Sequence, residues 1–156
     1  MLGTVPDQVG VVVDDLEQAL AAHSGLGPWL VYTYDRERVP NLSADGGSIS
    51  FGFRLALNPS QPQIELIQPL DRVGPHGRWL ARNGSGIQHL GYLVDDVAAA
   101  TGQMEEAGFR TILSGSGYGA EGGGAFAYFD TVAAVGYLME AIERPERRTE
   151  PESTRP

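Results

Sequence analysis

Asp7-Gln8-Val9-Gly10-Val11-Val12-Val13-Asp14-Asp15-Leu16 is matched 81 residues later by Gln88-His89-Leu90-Gly91-Tyr92-Leu93-Val94-Asp95-Asp96-Val97, with Gly, Val, Asp and Asp in the same places. A second pair follows in the same order: Ile64-Glu65-Leu66-Ile67-Gln68-Pro69 resembles Met139-Glu140-Ala141-Ile142-Glu143-Arg144-Pro145, at an offset of 75. Two similarities in one order mark a duplicated unit, too long for a solenoid period and suited to a fused pair of modules. Residues 8–13 and 89–94 are apolar, β-branched-rich runs of strand length. Asp14-Asp15 and Asp95-Asp96 offer N-cap carboxylates, and Leu16, Ala19 and Leu20, or Val97, Ala100 and Met104, continue at helical spacing. Gly108 is placed to end the second helix. Extended segments then follow at Leu30–Tyr34, Ser48–Leu57 and Gln63–Ile67, and at Arg110–Leu113, Ala125–Asp130 and Val135–Ile142.

Each unit therefore reads β-α-β-β-β, and the chain is expected to be an α+β protein of two tandem βαβββ modules. The first spans residues 5–70, a connector 71–86 with a short helix near His76–Arg82 follows, and the second spans 87–143. The tail 144–156 is dominated by Arg, Glu, Pro, Ser and Thr and is expected to be disordered.

Composition narrows the chemistry. The 156 residues are 42% hydrophobic and 20% charged, a globular balance for one domain or two joined half-domains. Cysteine is absent, which excludes disulfides, thiolate nucleophiles and zinc–thiolate sites. All 11 basic residues are arginines, so there is no Schiff-base lysine and no P-loop lysine. A net charge of −9 opposes nucleic acid as a partner. No apolar run nears the roughly 20 residues that cross a bilayer, and Met1 to Gln8 has no secretory character. A cytoplasmic protein with no membrane or nucleic-acid partner is expected.

The repeat also aligns polar residues. Gln8 falls opposite His89 and Glu65 opposite Glu140, each among apolar strand neighbours. Because strand side chains alternate faces, Gln8 shares a face with Gly10 and His89 with Gly91, and each glycine leaves space on that face. A carboxylate turned toward an enclosed surface is costly unless paired or bound to a cation. Two such carboxylates beside an imidazole and a carboxamide oxygen suit a divalent metal: Zn, Co, Ni, Mn or Fe(II). The ordinary alternative is that each glutamate pairs with an arginine, with Arg54 available to Glu65. Arg72, His76, Arg78 and Arg82 gather positive charge in the connector and read first as a solvated helix face, with a phosphate or CoA contact as the alternative. The six glycines of Gly115–Gly124 lie between two strands and open no helix, so a dinucleotide fingerprint fails and a mobile lip over the cleft is expected. Trp29, Tyr34, Phe51, Phe53, Tyr118 and Tyr128 are candidates to line an apolar pocket.

Taken together, Asp7 through Leu16, Ile64 through Leu70, Gly86 through Asp96 and Gly136 through Glu140 resemble the vicinal oxygen chelate superfamily, the group of glyoxalase I, methylmalonyl-CoA epimerase, extradiol dioxygenases, and bleomycin- and fosfomycin-resistance proteins. The resemblance covers about residues 7–143, and Glu65–Leu70 with Trp79-Leu80-Ala81-Arg82 running into Gly86–Asp96 look most like the methylmalonyl-CoA epimerase branch. It implies curved mixed sheets around a central cleft, a metal held by Gln8, Glu65, His89 and Glu140, a small-molecule carbonyl substrate that includes acyl-CoA among the options, and a homodimer. It also implies an isomerase, epimerase or lyase that removes a proton beside a metal-polarised carbonyl, with Glu140 first and Glu65 next as the base. The epimerases usually carry histidine where this chain has Gln8, whereas Gln, Glu, His, Glu in that order resembles one branch of glyoxalase I. The strand expected to hold the epimerases' second base offers Ser50-Phe51-Gly52-Phe53, without a carboxylate. Gln68-Pro69-Leu70 replaces the asparagine expected of glyoxalase I. A two-histidine facial triad of the dioxygenase kind is broken by Gln8. A glutathione-dependent lyase and a non-catalytic resistance protein that sequesters a cationic drug are the alternatives.

Overall fold

The apolar run after Asp7 becomes β1 (Gln8–Val12), and its repeat becomes β6 (Gly86–Leu93). The two lie antiparallel at the centre of the molecule, with Gly10 opposite His89 and Gln8 opposite Gly91. In this computed structural model, which describes residues 2–47 and 50–156, all other strands are arranged around that central pair.

On the first side β1 is joined by β5 (Gln63–Pro69), parallel, then by β4 (Phe53–Leu57) and β2 (Trp29–Tyr34), antiparallel. On the second side β6 is joined by β9 (Leu138–Glu143), parallel, then by β8 (Gly124–Phe129) and β7 (Thr111–Tyr118), antiparallel. The halves repeat one order about the β1–β6 seam, and form one mixed, curved sheet. The strand expected over Ser48–Leu57 begins at Phe53; Ser48 and Ile49 lie outside the described residues. The strand expected over Val135–Ile142 is divided. Val132–Val135 form a one-turn helix, α4, Gly136 takes φ +88°, and β9 begins at Leu138.

The helices cover the outer faces. Asp15 caps α1 (Leu16–Ala22) by accepting from Gln18 N at 3.0 Å, and Asp96 caps α3 (Val97–Glu106) by accepting from Ala99 N at 2.9 Å. Leu16 and Leu20 pack on Trp29, Val31, Ala56 and Leu66, each leucine contributing about 2 kcal/mol by burial. Val97 and Ala100 pack on Ala127, Phe129 and Ala141. Gly108, at φ +91°, terminates α3 as its position in the sequence suggested. The inner face holds the largest cluster, drawn from both halves, with Phe53, Leu55, Ile67, Leu113, Phe126, Tyr128 and Leu138 among its members. The connector helix α2 (Pro75–Asn83) starts at a proline and closes one end of this interior with Leu80.

Two segments cross between the halves. Residues after β2 run to the far edge, where β3 (Ser43–Ala44) pairs with β7. The tail runs the other way. Far from being disordered, residues 144–156 cross from the end of β9 to the opposite edge, where β10 (Ser153–Arg155) adds antiparallel to β2. The reason lies in tertiary contact. Ala120 N donates to Arg147 O at 2.9 Å, Glu152 N donates to Val31 O at 2.9 Å, and the Thr33 hydroxyl donates to Glu152 at 3.0 Å. Backbone pairing with an existing strand edge needs no apolar side chains of its own, so composition was a poor guide. No helix among the described residues is long and apolar enough to cross a membrane.

Candidate metal centre

Four polar side chains enter the interior from four adjacent strands. Gln8 opens β1, Glu65 lies on β5, His89 on β6 and Glu140 on β9, with Glu65 beside Gly10 and Glu140 beside Gly91 in register. The two glycines explain how the polar groups fit. A Cβ on Gly10 would fall 1.7 Å from His89 Cε1, and one on Gly91 would fall 2.6 Å from Ile142 Cδ1 and 3.0 Å from Gln8 Oε1. Each repeat's glycine thus makes room for the other repeat's polar residue. All four side chains are buried, His89 completely and Glu65, the most open, at 7% exposure.

His89 Nε2 lies 3.3 Å from Glu65 Oε2 and 3.2 Å from Glu140 Oε2, and the three donor atoms fall within 4.8 Å of one another. Neighbouring amides set the orientation of the other two groups. Gln8 Nε2 donates to Gln63 Oε1 at 3.1 Å, which leaves Gln8 Oε1 turned inward. Behind His89, Gln88 Oε1 sits 3.3 Å from His89 Nδ1 and 2.9 Å from His76 Nδ1. A carbonyl oxygen only accepts, so His89 carries its proton on Nδ1 toward Gln88 when neutral and presents the Nε2 lone pair to the cavity. Gln8 Oε1, Glu65 Oε2, His89 Nε2 and Glu140 Oε2 are each buried without a well-formed hydrogen bond among the described residues. Leaving one such atom unsatisfied costs about 1–3 kcal/mol. The donor atoms of Glu65, His89 and Glu140, together with the unsatisfied Oε1 of Gln8 in the same cavity lining, suit a divalent cation.

The electrostatics show the same demand for positive charge. Burial opposes charge on His89, yet Glu140 and Glu65 outweigh it and lift the imidazole to about 9. Burial pushes the Glu140 carboxyl up, against the pull of His89. Tyr128, cross-strand from Glu140, is driven far above the usual phenol range by burial and by the two carboxylates, so it stays protonated. A proton on His89 and a divalent cation are competing ways of balancing the pair of carboxylates.

Tyr34, Phe53, Tyr118 and Tyr128 line this inner cavity, of about 30 Å³, as the sequence suggested. Trp29 and Phe51 do not: Trp29 is buried under α1, and Phe51 packs in the interior core against Gly74. Arg54 is not the partner of Glu65, since it faces outward and pairs with Glu17 at 3.2 Å. His76 is not part of a solvated cationic face. It is 2% exposed between Phe53 and Tyr128, and burial lowers it to about 3, with the charge on His89 adding to the effect. Arg78 pairs with Asp45 at 2.5 Å. The glycine-rich segment is a β7–β8 hairpin whose tip is fastened to the tail at Arg147. A larger recess of about 590 Å³, between α3 and β7, contains none of the four donors.

Three residues of the site were not anticipated. Gln63 shares a strand face with Glu65, two positions on, and the period of two was a usable signal. Gln88 is adjacent to His89 and would ordinarily face away; a bulge in the β1–β6 ladder turns it inward, which no local pattern announces. Arg148 lines the cavity from the tail.

Comparison with known proteins agrees with this geometry. A stretch of 54 residues is 41% identical to an ethylmalonyl-CoA/methylmalonyl-CoA epimerase of Cereibacter sphaeroides, covering 34% of this chain and 40% of that protein. The match therefore spans less than half the length of that curated relative. Among solved structures, methylmalonyl-CoA epimerase from Mycobacterium tuberculosis superposes with a TM-score of 0.62 at 26% identity, over 93% of both chains. Streptomyces coelicolor methylmalonyl-CoA epimerase in complex with 2-nitronate-propionyl-CoA has the same fold, with a TM-score of 0.64 at 18% identity over 96% of this chain and 99% of that one. Residues 7–129 match the Glyoxalase/Bleomycin resistance protein/Dioxygenase superfamily, and with the paired β-α-β-β-β halves and the donors at equivalent strands the chain belongs to that superfamily.

Proposed function

We propose that this chain is a divalent-metal-dependent isomerase or epimerase that moves a proton on the carbon beside a carbonyl, with an acyl-CoA as the substrate class. The observation that carries the reading is the buried cluster of Glu65 Oε2, His89 Nε2 and Glu140 Oε2, within 4.8 Å of one another and without well-formed hydrogen bonds among the described residues, with the unsatisfied Gln8 Oε1 in the same cavity lining. These four residues would hold the ion. When bound, the ion acts as a Lewis acid toward the substrate carbonyl and favours loss of the neighbouring proton.

The chain's own groups supply the remaining steps. Glu140 takes the proton through a carboxylate oxygen that the ion does not engage, and Tyr128 beside it remains a hydrogen-bond donor that orients it. Glu65 is the second carboxylate. β4 presents Phe53 and Leu55 to the cavity, so the acid–base work falls to the two glutamates, one from each repeat. A reacting carbon held between them has a carboxylate from either half, which suits removal on one side and return on the other. Phe53, Leu55, Phe126 and the tyrosines exclude water and strengthen each polar contact. The similarity to ethylmalonyl-CoA/methylmalonyl-CoA epimerase supports the acyl-CoA class.

Elemental analysis of the purified protein, followed by solvent-deuterium uptake into CoA thioesters and other carbonyl compounds, tests the reading. About one divalent ion per chain is expected, with exchange that is abolished by a chelator and reduced about 10²-fold or more in Glu140→Gln. Full exchange in Glu140→Gln, or in metal-free protein, would overturn it. Conversion of a glutathione hemithioacetal into the isomeric 2-hydroxyacyl thioester would favour the lyase alternative.

A further inference from the structure

The tail that crosses the cleft carries one basic side chain into it. Arg147 and Arg148 are consecutive, but their settings differ. Arg147 pairs with Glu121 on the hairpin tip, and Arg38 and Arg155 also have carboxylate partners. The Arg148 guanidinium has no carboxylate partner among the described residues. It is half-buried, with its Cζ 6.0 Å from the centroid of the Tyr32 ring, and it approaches the Tyr34 hydroxyl. It is also the one basic side chain, among the described residues, that lines the cavity shared by Glu65 and Glu140.

Its position is built rather than incidental. Before it, Arg147 O accepts from Ala120 N; after it, Glu152 bonds to Thr33 and Val31, and β10 pairs along β2. The strap is therefore pinned on both sides of Arg148. Glu37 and Glu150 line the outer recess beside it, and neither forms an ion pair with it; Glu152 is taken by Thr33 and Arg38. Charge accounting gives the consequence. Two carboxylates offset a divalent ion, His89 and Gln8 are then neutral, and Arg148 is left as the one cationic side chain of the inner cavity lining without a carboxylate bound to it among the described residues. An Arg fork held against a tyrosine face is suited to a planar carboxylate.

We propose that Arg148 is a specificity-determining residue that pairs with a carboxylate carried by the substrate in addition to the carbonyl at the metal. This deepens the reading of the site given above and rests on it. The 2-carboxyacyl thioester class is the one named for the epimerases this chain resembles; the inference adds the determinant, which comes from the C-terminal strap, outside the two repeats. In the strap's present position the cavity, at about 30 Å³, holds little more than a water molecule. The strap or the adjoining hairpin must shift as the substrate's acyl group is seated.

Calorimetric titration of full-length, metal-loaded protein with methylmalonyl-CoA and with propionyl-CoA, which lacks the second carboxylate, tests the proposal. The unaltered protein should prefer methylmalonyl-CoA. Arg148→Gln should weaken methylmalonyl-CoA by about tenfold or more, the range of hydrogen bonds to charged groups, and leave propionyl-CoA within about twofold. Arg148→Lys should restore part of the preference, since it keeps the charge and loses the fork. Equal weakening of both ligands would mean that Arg148 only packs the strap, and overturns the proposal. So does an unchanged ratio, or no preference in the unaltered protein. Metal content, measured on the same samples, separates the two readings: loss of the metal reading appears as an absent ion, whereas loss of this one appears as an unchanged ratio with the ion in place.

Discussion

His76 shows how a single side chain is changed by its surroundings. In the sequence it sits among arginines and reads as part of a basic face; in the fold it is sealed between Phe53 and Tyr128 with its Nδ1 on Gln88. Burial brings it from an ordinary 6.5 to about 3, so the folded protein resists a proton that the unfolded chain accepts. The unfolded state therefore binds more protons between pH 3 and 6.5, and this contribution to stability is whole above 6.5 and lost on acidification through that window. Other groups titrate there too, so the difference between the protein and its His76→Leu variant isolates the effect. Urea unfolding of both should show the difference changing by about 1.4 kcal/mol per pH unit at most across the window, and levelling above it. A flat difference would mean that His76 takes up its proton in the fold as readily as in the unfolded chain. Gly10 makes the converse point: its lack of a side chain is what gives the His89 ring its place.

At the scale of elements, the strands carry the site and their irregularities refine it. A regular β6 would alternate Gln88 outward and His89 inward. The bulge opposite Gly10 and Val11 turns both inward, and Gln88 becomes the acceptor that holds His89 Nδ1–H. Outer partners of metal-binding histidines are worth about 10–100-fold in affinity. Gln88→Ala should weaken zinc binding by about that factor, measured by competition with a chromophoric chelator on folded protein, and should also lower the melting temperature of the metal-free protein because His76 Nδ1 loses its buried acceptor. Unchanged zinc affinity would show that the ring is held by packing alone. α1 and α3 are equivalent in the two repeats in both cap and packing, each beginning at the second aspartate of its Asp-Asp pair.

The whole molecule is closed by its crossings. β3 ties the first half to β7, and the tail ties the second half to β2, so the cleft lies beneath chain that comes from the opposite side. Gly119 is where the tail presses on the hairpin. Its φ is +91°, and a Cβ there would meet Pro145 Cβ at 2.3 Å. Gly119→Ala combines a backbone cost of about 1–2 kcal/mol with that collision. Amide hydrogen exchange at Glu152 and along β10 should accelerate by about tenfold for each 1.4 kcal/mol lost, while β6 and β9 keep their protection. Uniform acceleration everywhere would mean that the tail is part of the cooperative core rather than a separate strap.

The repeat in the sequence was sufficient to determine the β-α-β-β-β plan, both helix caps and the four inward polar positions, because period-two alternation, capping carboxylates and duplication are local properties of the chain. The sequence also showed that Gln8, Glu65, His89 and Glu140 are equivalent pairs. Only the tertiary structure decided that Gln88 turns inward, that His76 is sealed in the interior, that Arg54 serves Glu17, and that the polar tail becomes a strand bearing Arg148 over the cavity. Each of those depends on a partner distant in sequence: a ladder register, a facing ring, a carboxylate on another element, an open strand edge. No pattern within a few residues encodes such a partner.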